Sequence, residues 1–194
     1  MITIDQLRYV RLGTRDLPAA VDFAERVLGL QLVNRSDEAA YFRSDMRDHT
    51  LVFFRGEPTE RAVGFEIHGQ AQFEAAVVEL SRSGLEAAVG TQQECAARNV
   101  HALASFRDPG GNMIELVLRP LYSGWRYFPA RDAGITGLKG VALRSRNVPV
   151  CEALWTTLFN GRVSDWVGET AFLRFDQAHH RLAYYPSASG GLLA

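Results

Sequence analysis

The sequence predicts an α+β protein built of tandem βαβββ modules that pair into curved mixed sheets. Three observations carry this: an internal repeat, apolar periodicity that changes from helical to alternating within each copy, and glycines at the points of change. Arg15 to Phe54 aligns without a gap on Arg146 to Tyr185, each residue falling on one 131 positions later. Arg15 meets Arg146, Pro18 meets Pro149, Glu38 meets Glu169 and Ala40 meets Ala171. Arg43 falls on Arg174, Asp45 on Asp176, His49 on His180 and Leu51 on Leu182. Upstream, Leu7, Val10 and Leu12 fall on Leu138, Val141 and Leu143.

Each copy opens with a short strand, LRYVRLG or LKGVALR, followed by a helix that Asp16 or Asn147 can cap. In the first helix Ala20, Phe23, Ala24, Val27 and Leu28 recur at helical spacing. In the other, Cys151, Leu154, Trp155 and Leu158 do. Gly29 and Gly161 stand where these helices should stop. Three short strands follow, LQLVNRS, AAYFRSD and TLVFFRG in the first copy. Between the copies lies a diverged third unit. AVGFEIHG is its opening strand, and its helix places Phe73, Ala76, Val77 and Leu80 inward and stops at Gly84. LASFRD and NMIELVL are its last strands, joined by the turn Asp108-Pro109-Gly110-Gly111.

Module boundaries of about 5–56, 61–118 and 135–188 follow. Residues 1–120 are expected to form one two-module domain and 121–134, rich in Gly, Pro and aromatics, a linker. Residues 135–194 are expected to form a third module without its partner in this chain, the first half of a second domain. An unpartnered module of this kind leaves an apolar face and a strand edge to cover, which favours pairing with another chain, as in a homo-oligomer.

Composition excludes several classes. With 47% hydrophobic and 22% charged residues and a net charge of -1, the chain has neither the basic excess of a nucleic-acid binder nor an anionic-membrane footprint. Its basic residues are scattered arginines with one lysine, Lys139. No leader pattern or membrane-spanning run is visible, and Cys95 and Cys151 show no CxxC spacing, so the cytoplasm is the expected compartment.

The stretch RDPGGNMIELVLRP places Glu115 on a strand whose other face carries Ile114, Leu116 and Leu118. Such a carboxylate is either a solvated edge residue or a metal ligand or acid/base at the mouth of a curved sheet.

A repeated βαβββ unit with FRDPGGNMIEL closing its second copy resembles the vicinal oxygen chelate (glyoxalase/bleomycin resistance/dioxygenase) superfamily. The third module, GRVSDW…ETAFLRFDQAHHRLAYYPS, resembles the start of the catalytic half of type I extradiol dioxygenases, of the catechol 2,3-dioxygenase and 2,3-dihydroxybiphenyl 1,2-dioxygenase kind. The resemblance implies ring cleavage of vicinal aromatic diols at an Fe(II) ion held by two histidines and a glutamate, with a further histidine moving protons. His180 matches that further histidine, while His49 at the same place in module one equally fits a role in the turn. The first ligand position is Gly140, matching Tyr9, and the other two ligands are expected beyond Ala194, so no metal ligand is assigned. Glu115, whose expected co-ligand positions are Tyr9 and Gly64, is then an inherited structural residue. His68, His101 and His179 read as core or surface residues. The resemblance thus implies a dioxygenase relative whose iron site is impaired or incomplete within these residues, with a small aromatic partner. The alternatives are a metal-free binding protein for an aromatic or apolar molecule, with Tyr122, Trp125, Tyr127, Phe128, Trp155 and Trp166 lining a cleft, or an assembly completed by a partner.

Overall fold

The computed structural model describes residues 1–131 and 134–192. Asp132 and Ala133 of the expected linker, and Leu193 and Ala194 of the expected third module, lie outside them. Two compact units form. One takes Arg8–Val63 with Leu121–Leu138; the other takes Met1–Leu7, Gly64–Pro120 and Lys139–Ala194.

Module one comprises β1 (Gln6–Thr14), α1 (Leu17–Asp22), β2 (Gln31–Arg35), β3 (Ala39–Arg43) and β4 (Leu51–Arg55). Strands follow the order β2-β3-β4-β1, antiparallel except for the parallel β1–β4 pair. Asp16 caps α1 by accepting from the Ala19 amide at 3.0 Å, as expected. The helix continues as one wider π turn over Phe23–Val27. Leu17, Val21 and Ala24, with Leu28 partly buried, keep ordinary helical spacing and form the inward face with Leu30 and Phe42, whereas Phe23 and Val27 are exposed. The stripe expected through Ala20, Phe23, Ala24, Val27 and Leu28 is therefore rotated toward solvent, and Leu17 and Val21 take the inward side in place of Phe23 and Val27. Gly29, at φ 68°, supplies the left-handed residue on which the helix ends.

The expected linker is part of this unit because it satisfies a buried cation. Arg43 donates to the Trp125 carbonyl at 2.9 Å, to the Ser123 hydroxyl and to Gln31 Oε1 at 2.8 Å, with Tyr127 ring at 5.7 Å.

In the other unit, module two comprises β5 (Arg61–Ile67), whose first three residues fall with module one's unit, α2 (Gln70–Arg82), β6 (Ala88–Val89), α3 (Gln92–Ala96), β7 (Ala102–Arg107) and β8 (Met113–Leu118). Phe73, Ala76 and Leu80 are the buried face of α2. Short α3 was missed in the sequence, although Thr91-Gln92-Gln93-Glu94 spells the capping box that starts it. Module three comprises β9 (Val141–Ser145), α4 (Val148–Thr157), β10 (Arg162–Val167), β11 (Thr170–Arg174), β12 (Leu182–Pro186) and a final β13 (Gly191–Leu192), in the order β10-β11-β12-β9-β13. Asn147 caps α4 through the Val150 amide, and Cys151, Trp155 and Leu158 are buried as the periodicity requires. A Cβ on Gly161 would sit 2.6 Å from the Trp155 carbonyl oxygen, so the stop after α4 needs glycine. No helix of the described residues is long and apolar enough to cross a membrane.

Modules two and three share a core in this unit. Trp155 packs against Phe65 at 5.1 Å and Phe159 at 4.6 Å, and Phe159 stacks on Phe106. A buried chain of hydrogen bonds joins them: Trp155 Nε1 donates to Tyr184 Oη at 2.7 Å, and Tyr184 Oη donates to Asp108 Oδ2 at 2.6 Å. Asn112 extends it, donating to the Arg144 carbonyl and accepting from the Gly191 amide.

Candidate active site

The strand registers of module three set up two unlike faces. Val141, Leu182 and Leu173 lie in one row, and Leu143, Tyr184 and Ala171 in another; all six are buried on the face toward α4. The rows between them, Ala142–Ala183–Phe172 and the flanking Gly140 and Tyr185, point to the opposite face. There they line an open cleft of about 230 Å³, with His180. His180 sits in the turn before β12 and lies against the Phe172 ring at 4.4 Å; Tyr185 meets the same ring edge-on at 6.1 Å. Arg181 fixes this turn, donating from Nε and Nη2 to Asp176 and from Nη1 to the Lys139 carbonyl. Burial pushes the Asp176 carboxyl up, but Arg181 and the Ala178 amide outweigh it and hold it below the ordinary carboxylate range. The imidazole is exposed, beside an aromatic floor, in a position to exchange protons with a molecule lying on that floor.

The counterpart in module one is closed. Tyr9 stands where Gly140 stands, and its ring lies 5.0 Å from His49, which Tyr41 meets edge-on at 5.5 Å. His49 is 4% exposed and pairs through Nδ1 with Asp48 Oδ2 at 2.9 Å, while Nε2 makes no hydrogen bond among the described residues. Burial lowers its pKa below 6.5 despite the upward pull of Asp48, which leaves the imidazole neutral. Equivalent histidines therefore sit in opposite settings, one plugged between tyrosines and one over an open aromatic floor.

The other singled-out residues fall outside the cleft. Glu115 is buried at 2% exposure and held by a two-point pair with Arg98, at 3.0 Å from Nε and 2.6 Å from Nη2. Trp155 is core, Trp125 is 81% exposed, and Tyr122, Phe128 and Trp166 are exposed. None of the aromatics proposed for an apolar cleft lines this one; Phe172 and Tyr185 do. His68 and His179 are exposed.

The Glyoxalase/Bleomycin resistance protein/Dioxygenase superfamily profile matches residues 6–116, more than half of the chain. The chain belongs to this superfamily. Its relatives are extradiol dioxygenases. The biphenyl-2,3-diol 1,2-dioxygenase of Sphingomonas paucimobilis is 26% identical over 95% of this chain and 67% of its own length. The 1,2-dihydroxynaphthalene dioxygenase of Sphingobium xenophagum is 27% identical over 81% of this chain and 56% of its own. The iron-dependent extradiol dioxygenase of Rhodococcus jostii is 28% identical over 95% and 69%. The chain thus spans between about half and two thirds of the length of these relatives. Among solved structures, a halotolerant catechol dioxygenase superposes with a TM-score of 0.83 at 24% identity, over 95% of this chain and 65% of its own. The Mn(II)-bound glyoxalase of Novosphingobium aromaticivorans reaches 0.85 at 22%, over 99% and 64%. Both show the fold.

One of these relatives is named iron-dependent and one neighbour holds Mn(II). Among the described residues no three His, Cys, Asp or Glu side chains converge to hold an ion, and Gly140 brings no donor. These residues alone do not fit a ferrous ion.

Proposed function

We propose that module three supplies the ring-binding face of an extradiol ring-cleavage dioxygenase, accepting a vicinal aromatic diol on the floor made by Phe172 and Tyr185. His180 is the acid/base group that takes up or returns a diol proton at its imidazole nitrogen. The observation that carries this is the placement of His180 against Phe172 above an open cleft. A planar diol stacked on Phe172 would bring a hydroxyl within reach of His180, and Gly140 leaves the floor unblocked where Tyr9 fills it in module one. Membership of the superfamily and the diol-cleaving relatives support the substrate class.

The test is catechol binding followed by NMR shifts of the catechol ring protons, with the His180 imidazole as a second reporter in chains that retain it. Saturable binding is expected with the natural chain, and His180→Gln should leave the affinity within about tenfold while removing the proton-linked pH dependence. Gly140→Tyr, copying module one, should abolish binding by filling the floor. Undiminished binding in Gly140→Tyr would refute the location.

A further inference from the structure

The repeat also marks a second site, on the other strand pair of module three. In module one Gln31 and Arg43 face each other across β2 and β3, and Arg43 is fully provided for by Gln31, Ser123, the Trp125 carbonyl and the Tyr127 ring. Module three replaces that pair by Arg162 and Arg174, directly opposite each other across β10 and β11. Neither guanidinium has a hydrogen-bond or ion-pair partner among the described residues. Both line an open cleft of about 440 Å³ with Asn160, Phe175, Asp176 and Gln177.

Like charges placed directly across an antiparallel pair repel and are retained at a cost. Asp176 does not neutralise them, because Arg181 already holds its carboxylate from Nε and Nη2. Asn160 is spent as well, bonding the Ile4 backbone in both directions at 2.8 and 3.1 Å. What remains is two guanidinium forks, an exposed Gln177 amide, and an apolar wall at Phe175, which is fixed by Trp155 at 5.2 Å and Phe65 at 5.6 Å. Guanidinium forks match the two oxygens of a carboxylate or phosphate.

We propose that the Arg162–Arg174 cleft binds a small oxyanion, a carboxylate or phosphate carried on an apolar body, with the anion bridging the two guanidiniums and the body against Phe175. The site is separate from the His180 cleft and does not depend on the diol reading. Substituting Gln31 by arginine turns a self-satisfied pair into an anion receptor, and the open cleft gives the anion access.

The experiment is a titration of the whole chain with 4-fluorobenzoate, observed by fluorine NMR, with inorganic phosphate as competitor. Saturable binding is expected, weakened at least tenfold in Arg162→Gln and in Arg174→Gln. Arg162→Gln restores the module-one pairing, so it should fold with an unchanged or raised Tm; if Arg174→Gln does not fold, Arg162→Gln decides. Displacement by phosphate would identify any oxyanion as the recognised group, and lack of displacement would identify the carboxylate with its ring. Shifts that rise linearly without saturation, or equal affinity in Arg162→Gln, would overturn the proposal.

Discussion

Tyr184→Phe is the sharpest test of how modules two and three are held together. The substitution conserves volume and removes one oxygen, which makes two hydrogen bonds in a region where Trp155 and Tyr184 are both fully buried. Losing the hydrogen bond to the Asp108 carboxylate costs about 1.5–3 kcal/mol, and leaving Trp155 Nε1 buried without an acceptor costs about 1–3 kcal/mol. Since the two share one network and do not add fully, the expected loss is about 3–5 kcal/mol. Urea unfolding should show a lower midpoint at an unchanged slope. The pH dependence supplies a second reading. Burial raises the Asp108 pKa above 3.8, against hydrogen bonds from Tyr184 and Asn112. A carboxyl with a raised folded pKa binds more protons folded than unfolded, so its contribution to stability falls as pH rises from 3.8 through the folded value. Without the Tyr184 hydroxyl that pKa rises further, and the deficit of the variant should widen as pH rises across that window. A loss below about 1 kcal/mol, or one independent of pH, would show that the hydroxyl is not a structural link between the modules.

Two further outcomes follow from buried ionisable groups. Arg98→Ala leaves the Glu115 carboxylate buried without its two-point partner and should cost about 3–5 kcal/mol in thermal or urea unfolding, with Arg98→Lys recovering only part. His49 has a folded pKa below 6.5, so below pH 6.5 the unfolded chain binds the additional proton and stability falls as pH drops toward the folded value. His49→Gln should flatten that acid limb in unfolding curves measured from about pH 7 to pH 5, and an unchanged limb would assign it to other groups.

The module plan was legible because it repeats. An offset shared by Pro18 and Pro149 and by Asp16 and Asn147, with the stop glycines Gly29 and Gly161 one place off it, fixes strand, cap and helix before any contact is known. The face of α4 was legible from its spacing, whereas on the first helix the apolar Phe23 and Val27 lie beside the buried line Leu17–Val21–Ala24 and draw the expected stripe off it. Pairings across the chain carried no local signal. Nothing in FRDPGGNMIEL announces that Glu115 meets Arg98 in the turn after a five-residue helix, or that Asp108 meets Tyr184, 76 residues on. The candidate site was legible in part: His180 is singled out by the resemblance to the catalytic half of the extradiol dioxygenases, while the repeat, through His49, equally allowed a role in the turn. Phe172 and Tyr185 look like ordinary strand aromatics until the register puts them on the open face.

Position 140 changes meaning once both copies of the module are compared. Measured against a ligand set, a glycine there is a loss, since it brings no donor to a metal. Measured against Tyr9, it is an opening. Module one closes its concave face with Tyr9, Tyr41 and a neutral, buried His49. Module three keeps the aromatic as Phe172 and the histidine as His180, removes the tyrosine, and leaves the histidine exposed beside a cleft of about 230 Å³. A Cβ at 140 would lie 3.2 and 3.3 Å from the carbonyl oxygens of His180 and Arg181, so even alanine there presses on the turn that carries the histidine. The same residue that withholds a metal donor therefore preserves both the volume of the cleft and the backbone position of His180, and the two effects separate experimentally. Gly140→Ala should disturb the turn with little loss of volume, whereas Gly140→Tyr should remove the cleft itself. If Gly140→Ala shifts the His180 imidazole resonances and retains catechol, while Gly140→Tyr loses catechol, the glycine acts by making space.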